Sequence, residues 1–281
     1  MSVVRAAAIQ MRSGATPEAN LAALEPLVER AARDGATYAL TPEVTMAFAE
    51  SREGLAAVAG AFEESAPLEE AAAMARRHRL WLHIGSLAVA LPDGFFANRS
   101  VLFSPDGEVS AVYDKIHLFD ATLPGLRNYR ESHTYRAGEA AVVTPAPGFN
   151  LGMSICYDIR FASLYNTLAN AGAQVIAIPA AFTAVTGAAH WEILVRARAI
   201  ETGCFVIAAA QGGAHENGRQ TFGHSMIVDP WGTKLAEIAG DEPGVIVADL
   251  DLGRIEETRG RVPALANARK FSLSVKDRGA I

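Results

Sequence analysis

Cysteine is scarce in this chain, with two residues among 281. So few cysteines do not make a disulfide framework, which favours a reducing compartment, and we expect a cytoplasmic protein. No apolar run approaches the roughly 18 residues that a membrane-spanning helix needs. The first ten residues lack the charged region and cleavage site of a signal peptide and have the pattern of a strand. The sequence therefore predicts neither a leader nor a membrane segment.

Basic residues are also fewer than acidic residues in this chain. Lysine and arginine total 25 against 31 acidic residues, for a net charge of −6, which argues against a nucleic-acid surface. No His/Cys/Asp cluster has metal-ligand spacing, and Gly212-Gly213 is too short for a phosphate loop. We therefore expect no metal and no cofactor. The match of Asn98-Arg-Ser100 to a glycosylation sequon is expected to be chance in a cytosolic protein.

Short apolar runs alternate with helical patterns without a linker, so we expect a single domain over residues 1–281. Helices are predicted at 18–34, 66–79, 161–171 and 188–202. Strands are predicted at 3–11, 37–42, 80–90, 97–103, 109–115, 150–156, 174–180, 204–211, 223–229 and 244–250. This mixture of hairpins and crossovers indicates an α/β fold with two stacked sheets covered by helices, since about ten strands rarely form one flat sheet.

Turn and helix-end signals add local detail. Ser104-Pro-Asp-Gly107 and Asp229-Pro-Trp-Gly232 predict hairpin turns. Ser65 is expected to cap the second helix, with Pro67 in its first turn. Pro26 predicts a kink or a late start in the first helix.

Cys156 ends an apolar run and precedes a short helical pattern, which predicts a thiol at the rim of a sheet. At such a strand-to-helix turn the following backbone N–H groups can point at a developing oxyanion. The alternative is a buried structural cysteine, the commonest role of a free thiol.

Lys115 and Glu43 also follow predicted strands. Arginines outnumber lysines 21 to 4, so retention of a lysine at the end of an apolar strand suggests that an ammonium is required. The alternatives are a surface lysine and an exposed loop glutamate. Because ligands of α/β folds bind at the carboxyl ends of strands, all three side chains are candidates for one site.

These segments resemble the three signatures of the nitrilase superfamily of carbon–nitrogen hydrolases: Thr41-Pro-Glu43, Asp114-Lys-Ile-His-Leu-Phe-Asp120 and Cys156-Tyr-Asp-Ile-Arg-Phe161. The resemblance covers nearly the whole chain and includes Pro179-Ala-Ala-Phe-Thr183, Thr186-Gly-Ala-Ala-His-Trp-Glu192, Arg196-Ala-Arg-Ala-Ile-Glu201 and Gly223-His-Ser-Met-Ile-Val-Asp-Pro-Trp-Gly232. It implies a four-layer α-β-β-α sandwich and an enzyme without a metal.

The resemblance also implies roles for individual residues. Glu43 is expected to be the general base, Cys156 the nucleophile that forms a thioester, and Lys115 with the Tyr157 backbone N–H the oxyanion site. The segment Asn128-Tyr-Arg-Glu-Ser132 nominates Glu131 as an auxiliary acid–base or positioning residue. A loop carboxylate paired with Arg130 or Arg127 is the alternative for Glu131.

The stretch from Phe182 to Glu201 most resembles the Nit branch, whose members hydrolyse deaminated glutathione or omega-amides such as 2-oxoglutaramate. Such substrates carry a carboxylate, for which Arg160 is the candidate partner, and Thr186 is a candidate hydroxyl donor. The alternative for Arg160 is an ion pair with Asp158 or Glu192. Ala162-Ser163 replaces the usual proline of the third signature, and the residues after Glu43 differ near Met46 and Phe48, which leaves the substrate open.

The leading hypothesis is thus a cysteine-dependent amidase acting on a small carboxylate-bearing amide. An N-carbamoyl-amine hydrolase, a nitrilase and a non-enzymatic scaffold that retains the fold are the alternatives. The family implies a homodimer or higher homo-oligomer, and the tail from about 265 to 281, with its apolar Phe271-Ser-Leu-Ser-Val275 segment, is expected to dock at that interface.

Overall fold

A computed structural model describes residues 3–49, 51–122 and 128–275 of the chain. Its helices are Pro17–Arg33 (α1), Arg52–Val58 (α2), Ala66–His78 (α3), Ala162–Asn170 (α4), Ala184–Thr202 (α5), Gly253–Arg261 (α6) and Ala264–Asn267 (α7). Short 3₁₀ helices span Phe62–Glu64, Glu131–His133 and Cys156–Arg160.

The strands in chain order are Val3–Gln10 (β1), Tyr38–Leu40 (β2), Trp81–Ala90 (β3), Phe96–Phe103 (β4), Val109–Asp114 (β5), Asp120–Ala121 (β6), Tyr129–Arg130 (β7), Val143–Ala146 (β8), Phe149–Met153 (β9), Val175–Ala180 (β10), Phe205–Ala210 (β11), Gly212–Ala214 (β12), Gln220–Phe222 (β13), Met226–Val228 (β14), Lys234–Glu237 (β15) and Gly244–Asp251 (β16).

Two six-stranded sheets form the centre of the described chain. Their strand orders are β16-β1-β2-β3-β4-β5 and β8-β9-β10-β11-β14-β15. Read in these directions, both sheets have the same pattern of neighbours: antiparallel, parallel, parallel, antiparallel, antiparallel. Both sheets are therefore mixed, and they share the same order of parallel and antiparallel neighbours.

The layers follow from the two-residue period of the strands. In β1, Ala6 and Ala8 pack in the core between the sheets, whereas Ala7 and Ile9 face α1 and α3. Helices α4 and α5 cover the outer face of the second sheet. The fold is the predicted α/β four-layer α-β-β-α sandwich.

Most predicted elements are present, with corrections at their ends. Helix α1 begins at Pro17 and runs through Pro26, so of the predicted kink or late start the late start is wrong, and the kink stays a prediction. Pro26 lies on the exposed face, where the carbonyl left without its amide donor can meet water. Ser65 stands at the N-terminus of α3, yet its side chain makes no capping hydrogen bond. Helix α5 begins four residues earlier than predicted because the Thr183 hydroxyl accepts from the Thr186 N–H and caps it there.

Other differences concern strands. The predicted strand 223–229 is shorter, Met226–Val228, and the strand predicted to reach Cys156 ends at Met153. Strands β6, β7, β8, β12, β13 and β15 and helices α2, α6 and α7 were not predicted. Both predicted hairpin turns are present: Gly107 N donates to Ser104 O, and Gly232 N donates to Asp229 O, each at 2.9 Å.

The end of the described chain is open to solvent. Phe271, Leu273 and Val275 are 92%, 84% and 77% exposed. Docking of this tail on a second copy stays a prediction, and residues 276–281 of the predicted tail lie outside the described part. No helix in the described residues is long and apolar enough to cross a membrane.

A chain of buried hydrogen bonds connects three neighbouring strands of the first sheet through His83. The Tyr38 hydroxyl lies 2.6 Å from His83 Nδ1, and His83 Nε2 lies 2.7 Å from Ser100 Oγ. Because Ser100 Oγ donates to Ile84 O, it accepts from the Nε2 proton, which leaves Nδ1 to accept from Tyr38. Burial lowers the pKa of His83 to about 3, so the imidazole is neutral in the folded state.

We predict that His83 makes the fold sensitive to mild acid. Its folded pKa of about 3 lies below the ordinary 6.5, so the unfolded chain binds more protons between these values, and the stabilisation present above pH 6.5 is lost as the pH falls. Between pH 7.5 and 5.5 the wild type should lose about 1 kcal/mol more unfolding free energy than His83→Gln. Urea unfolding at both pH values measures this, and equal losses in the two proteins would contradict it.

Candidate active site

The three candidate residues meet where the carboxyl-terminal ends of strands from both sheets lie side by side. Glu43 lies three residues after β2, Lys115 directly after β5 and Cys156 three residues after β9. The Ala181 backbone N–H, just after β10, donates to Glu43 Oε2 at 2.9 Å and so joins the first sheet to the second. All three line one cavity of about 380 Å³.

Lys115 is the centre of a buried charge cluster. Its side chain is 2% exposed, and its ammonium lies 2.8 Å from Glu43 Oε1 and 3.0 and 2.9 Å from the two oxygens of Glu131. Asn98 Nδ2 donates to both carboxylates, at 3.0 Å to Glu43 and 3.1 Å to Glu131. The Phe119 N–H also donates to Glu131. Every charge in the cluster is thus paired and hydrogen-bonded, as burial requires.

The cluster determines the protonation state of each group. Burial opposes the charge on Lys115, but the Glu131 and Glu43 carboxylates hold the pKa of the ammonium well above its ordinary value. Burial would raise the pKa of Glu43, yet Lys115 and hydrogen bonds from Lys115, Cys156 and Asn98 bring that pKa below its ordinary value. Burial and then the Glu43 carboxylate raise the pKa of Cys156, which Lys115 offsets in part. The resting site therefore holds a neutral thiol beside an ionised carboxylate.

The backbone is strained at Cys156 and at the residue after Glu43. Cys156 has φ +47° and Val44, next to Glu43, has φ +52°, a conformation that a β-branched residue rarely adopts. Ser86 Oγ accepts from the Val44 N–H at 2.9 Å and helps to hold it. Among the described residues, the N–H of Tyr157 has no hydrogen-bond acceptor, and Tyr157 lines the cavity. The turn at Cys156 thus presents both a thiol and a free donor.

A glycine permits the close approach that positions Glu43. A Cβ atom at Gly85 would lie 2.1 Å from Thr41 O and 2.4 Å from Pro42 O. Any larger residue at this point of β3 would displace the chain that leads from β2 to Glu43.

Asp158 joins the lysine strand to the cysteine turn. Its buried carboxylate accepts from Tyr113 Oη at 2.6 Å and from His117 N at 3.0 Å, and His117 Nδ1 lies 2.7 Å from it. On the other side it accepts from Ile155 N at 2.9 Å. Tyr113 and His117 flank Lys115 by two residues, and Ile155 precedes the nucleophile candidate. Asp158 therefore fixes the position of the thiol relative to the ammonium.

Glu131 lies at the site, and one of its two alternative arginine partners can be checked. Glu131 contacts Lys115, whereas Arg130 binds Ala121 O, Tyr129 O and Thr122, so the predicted alternative of a pair with Arg130 is wrong. Arg127 lies outside the described residues.

Arg160 lines the cavity and forms neither of the ion pairs considered from the sequence. Its guanidinium lies 3.3 Å from His190 Nδ1 and over the rings of Tyr157 and Phe182. Asp158 is occupied as described above, and Glu192 pairs with Arg196 and Lys234.

Of three further residues considered from the sequence, two line the cavity and one lies in the core. Thr186 also lines the cavity, with its hydroxyl 2.9 Å from the Thr183 hydroxyl. Of the two residues expected near the pocket wall, Phe48 lines it, whereas Met46 is buried in the core between the first sheet and its helices.

Three residues at the site had no functional assignment from the sequence. Asn98 was noted only for its sequon; it is buried in β4 and binds both carboxylates, so it is inaccessible to a glycosyl group. Asp158 follows Cys156 by two residues, which is a local signal that could have revealed it. Arg219 reaches the cavity from the β12–β13 hairpin, a placement without a local sequence signal. No three metal-ligating side chains cluster in the described residues.

The model of the carbon-nitrogen hydrolase family matches residues 5–260. The chain belongs to this family. A deaminated glutathione amidase of Synechocystis sp. is 42% identical to this carbon-nitrogen hydrolase over 268 residues, which cover 92% of this chain and 96% of the relative. The predicted membership of the nitrilase superfamily, and the resemblance to its Nit branch, are confirmed.

Solved structures of relatives agree with this assignment. The C. elegans NitFhit protein aligns with a TM-score of 0.88 at 35% identity, covering 96% of this hydrolase and 66% of that longer chain. An amidase of Nesterenkonia sp. AN1, with the acetamide moiety of fluoroacetamide covalently added at its active-site cysteine, aligns with a TM-score of 0.76 at 26% identity. That alignment covers 95% of this chain and 94% of the amidase. These similarities support hydrolysis of carbon–nitrogen bonds.

We predict that Asp158→Asn slows the alkylation of Cys156 by iodoacetamide. An amide cannot accept from every donor that Asp158 now satisfies, so the thiol moves relative to Glu43, and a displacement of this kind costs up to about 10²-fold in rate. Mass spectrometry of the labelled peptides measures the rate, and the fully buried Cys204 should stay unlabelled in the native protein.

The matched control is Asp106→Asn in the exposed β4–β5 turn, which should label at the wild-type rate. Thermal unfolding of each variant separates displacement of the thiol from loss of the fold. Wild-type labelling in a folded Asp158→Asn protein would show that the carboxylate does not position Cys156.

Proposed function

We propose that this protein is a cysteine-dependent amidase that hydrolyses a small, carboxylate-bearing linear amide through a thioester on Cys156. One observation carries the proposal: a buried thiol, a carboxylate and an ammonium converge on a cavity that also contains an arginine without a carboxylate partner among the described residues. A scaffold protein has no need for a charge cluster at the wall of a cavity.

Acylation begins from the neutral thiol. Glu43 accepts the Cys156 proton as the sulfur attacks the amide carbonyl, and the carbonyl oxygen becomes an oxyanion. The Lys115 ammonium and the Tyr157 N–H stabilise this oxyanion. Collapse of the tetrahedral intermediate breaks the carbon–nitrogen bond, and Glu43 returns its proton to the leaving ammonia or amine. The acyl group is then bound to sulfur as a thioester.

Deacylation reverses these roles with water as the nucleophile. Glu43 takes a proton from the water while it attacks the thioester, and the proton passes to the departing sulfur. The products are the carboxylic acid and the restored thiol, so that one amide and one water yield one acid and one amine. Glu131 keeps Lys115 charged and in place throughout, through the contacts of 2.9 and 3.0 Å.

Arg160 supports an acyl group that carries an acid. It closes the 3₁₀ turn that begins with Cys156, and a guanidinium in a cavity binds carboxylate in preference to neutral groups. Deaminated glutathione, from which the Synechocystis relative takes its name, and 2-oxoglutaramate share a 2-oxoglutaryl group. We propose that Arg160 binds the free carboxylate of this group, with the Thr186 hydroxyl as an additional polar contact. The enzyme would act in the cytoplasm, as a homodimer or larger homo-oligomer.

The test is turnover of these two amides by wild type and by Cys156→Ala. Release of amine or ammonia should fall by about 10⁴-fold or more in the variant, because the covalent route is lost. Cys204→Ala is the matched control, since Cys204 lies in the core and should leave turnover within a few-fold of wild type. An intact-mass adduct of a 2-oxoglutaryl group on Cys156 would identify the thioester.

Other outcomes decide between the alternatives. Release of carbon dioxide with ammonia from N-carbamoyl compounds would favour a carbamoylase, and turnover of nitriles alone a nitrilase. If the wild type hydrolyses none of these and no acyl donor labels Cys156, the amidase proposal fails and a scaffold role is favoured.

The pH profile follows from the protonation states. Because the pKa of Glu43 lies below its ordinary 4.5 and that of Cys156 above its ordinary 9.0, the carboxylate and thiol persist across neutral pH. We expect kcat/KM to be flat from about pH 5.5 to 8.5 and to fall only in stronger acid, where Glu43 gains a proton. A tenfold rise per pH unit up to pH 8.5 would instead indicate a thiolate formed without Glu43.

A further inference from the structure

Tyr135 lines the cavity, and its hydroxyl makes no hydrogen bond to any residue that the structure describes. Its ring packs edge-on against Phe96, with the ring centroids 6.3 Å apart. The buried tyrosines differ in this respect, because the hydroxyls of Tyr38, Tyr113 and Tyr165 contact other side chains at 2.6, 2.6 and 2.8 Å. The Tyr135 hydroxyl therefore keeps its capacity to donate and to accept for a molecule in the cavity.

The backbone around Tyr135 is anchored to the elements that hold the charge cluster. Phe96 N donates to Thr134 O at 3.1 Å, and Arg136 N donates to Phe96 O at 2.8 Å, so both neighbours of Tyr135 are bound to β4. Tyr135 N donates to Glu131 O at 2.9 Å. Two residues further along β4 lies the amide that binds both carboxylates of the cluster. The ring is thus placed before a ligand binds, which reduces the ordering that binding requires.

The hydroxyl of Tyr135 lies within the electrostatic field of the charge cluster. Burial and then the carboxylates of Glu131 and Glu43 raise the pKa of Tyr135 above its ordinary value. Lys115 and Arg219 lower that pKa in part. All four charged residues line the same cavity, so the hydroxyl is directed at the charged part of its wall. The phenol keeps its proton across neutral pH, and its oxygen can still accept hydrogen bonds.

The two nucleophiles of the proposed mechanism are held in different ways. The Cys156 sulfur is part of the turn that Asp158 fixes, whereas the water of the second step is free and must be oriented by hydrogen bonds. Glu43 receives one proton of that water, and a contact to the other proton is needed to direct the oxygen at the thioester. Both oxygens of Glu131 already accept hydrogen bonds within the charge cluster. The hydroxyl of Tyr135 supplies an acceptor that is not occupied in this way.

We propose that Tyr135 is a further catalytic residue, whose hydroxyl oxygen accepts a hydrogen bond from the water that hydrolyses the thioester. The proposal rests on the proposed function. The water oxygen bonds to the acyl carbon, one water proton passes to Glu43, and the other points at Tyr135 and leaves with the product acid. The carbon–sulfur bond breaks, and Glu43 passes its proton to the Cys156 sulfur. Tyr135 keeps its own proton throughout.

The experiment measures the two steps separately in Tyr135→Phe, a change that keeps the ring against Phe96 and removes only the hydroxyl. Acylation retains its fixed nucleophile, whereas deacylation loses a contact to its water, so kcat for 2-oxoglutaramate should fall by about 10-fold to 100-fold. Because kcat/KM reports acylation, it should change by less than about 3-fold, and KM should fall with kcat. Ammonia release should begin with a burst of about one equivalent, and intact mass should show the Cys156 thioester as the main species at steady state.

Tyr38→Phe is the matched control, since it makes the same change at a tyrosine that is buried in the first sheet and does not line the cavity. Loss of its contact with His83 should lower the free energy of unfolding. Its kcat and its thioester fraction should nevertheless stay within a few-fold of wild type. Thermal unfolding of both variants separates an effect on the fold from an effect on deacylation.

The outcomes separate the two proposals. Wild-type kcat in a folded Tyr135→Phe would overturn the role of Tyr135, and so would an equal fall in kcat and kcat/KM without accumulation of thioester. Either result leaves the amidase intact, provided that the wild type releases ammonia from 2-oxoglutaramate. Absence of turnover by the wild type, with no acyl adduct on Cys156, would overturn the amidase and this inference together.

Discussion

A lysine ammonium enclosed by two carboxylates is the interaction on which the site depends. Removing such charges from water costs several kcal/mol for each ion, and breaking a buried pair by removing one partner typically destabilises a protein by about 3–5 kcal/mol. Lys115 therefore has to be met by Glu43 and Glu131. Because these residues come from separate segments, their pairing brings the end of β2, the end of β5 and the 3₁₀ turn at Glu131 to one point.

Hydrogen bonds around this cluster explain why the site tolerates backbone strain. Residues in the left-handed region cost of the order of 1–3 kcal/mol each and persist where their surroundings over-determine them. Val44 is held by Ser86, and the turn at Cys156 is held by Asp158, which is itself bound from the lysine strand. Glu43, Val44 and Cys156 all line the cavity, so both strained positions lie directly at the site.

Prediction from the sequence succeeded where the signal was local. An apolar run followed by a polar residue marks a strand end, which is why the three candidate residues could be found. Strand β8 was missed because Pro145 argues against a strand, although proline is tolerated on an edge strand such as this one. Helix α6 was missed because Ile255 is its one buried side chain, so it has little apolar periodicity. Arg219 reaches the cavity through packing against Phe48, a residue 171 positions away that no local pattern connects to it.

The division of the candidate site between the two halves of the chain has a consequence for the reactivity of Cys156. Glu43, Lys115 and Glu131 belong to the first half of the chain, whereas Cys156 and the Ala181 amide that fixes Glu43 belong to the second. Neither half contains a complete set of groups. Under the proposed mechanism, a nascent or partly unfolded chain carries a cysteine with no adjacent base, and amide hydrolysis requires that both halves of the chain are folded and docked. Under the same mechanism, the rate at which Cys156 is acylated reports whether the whole chain has folded.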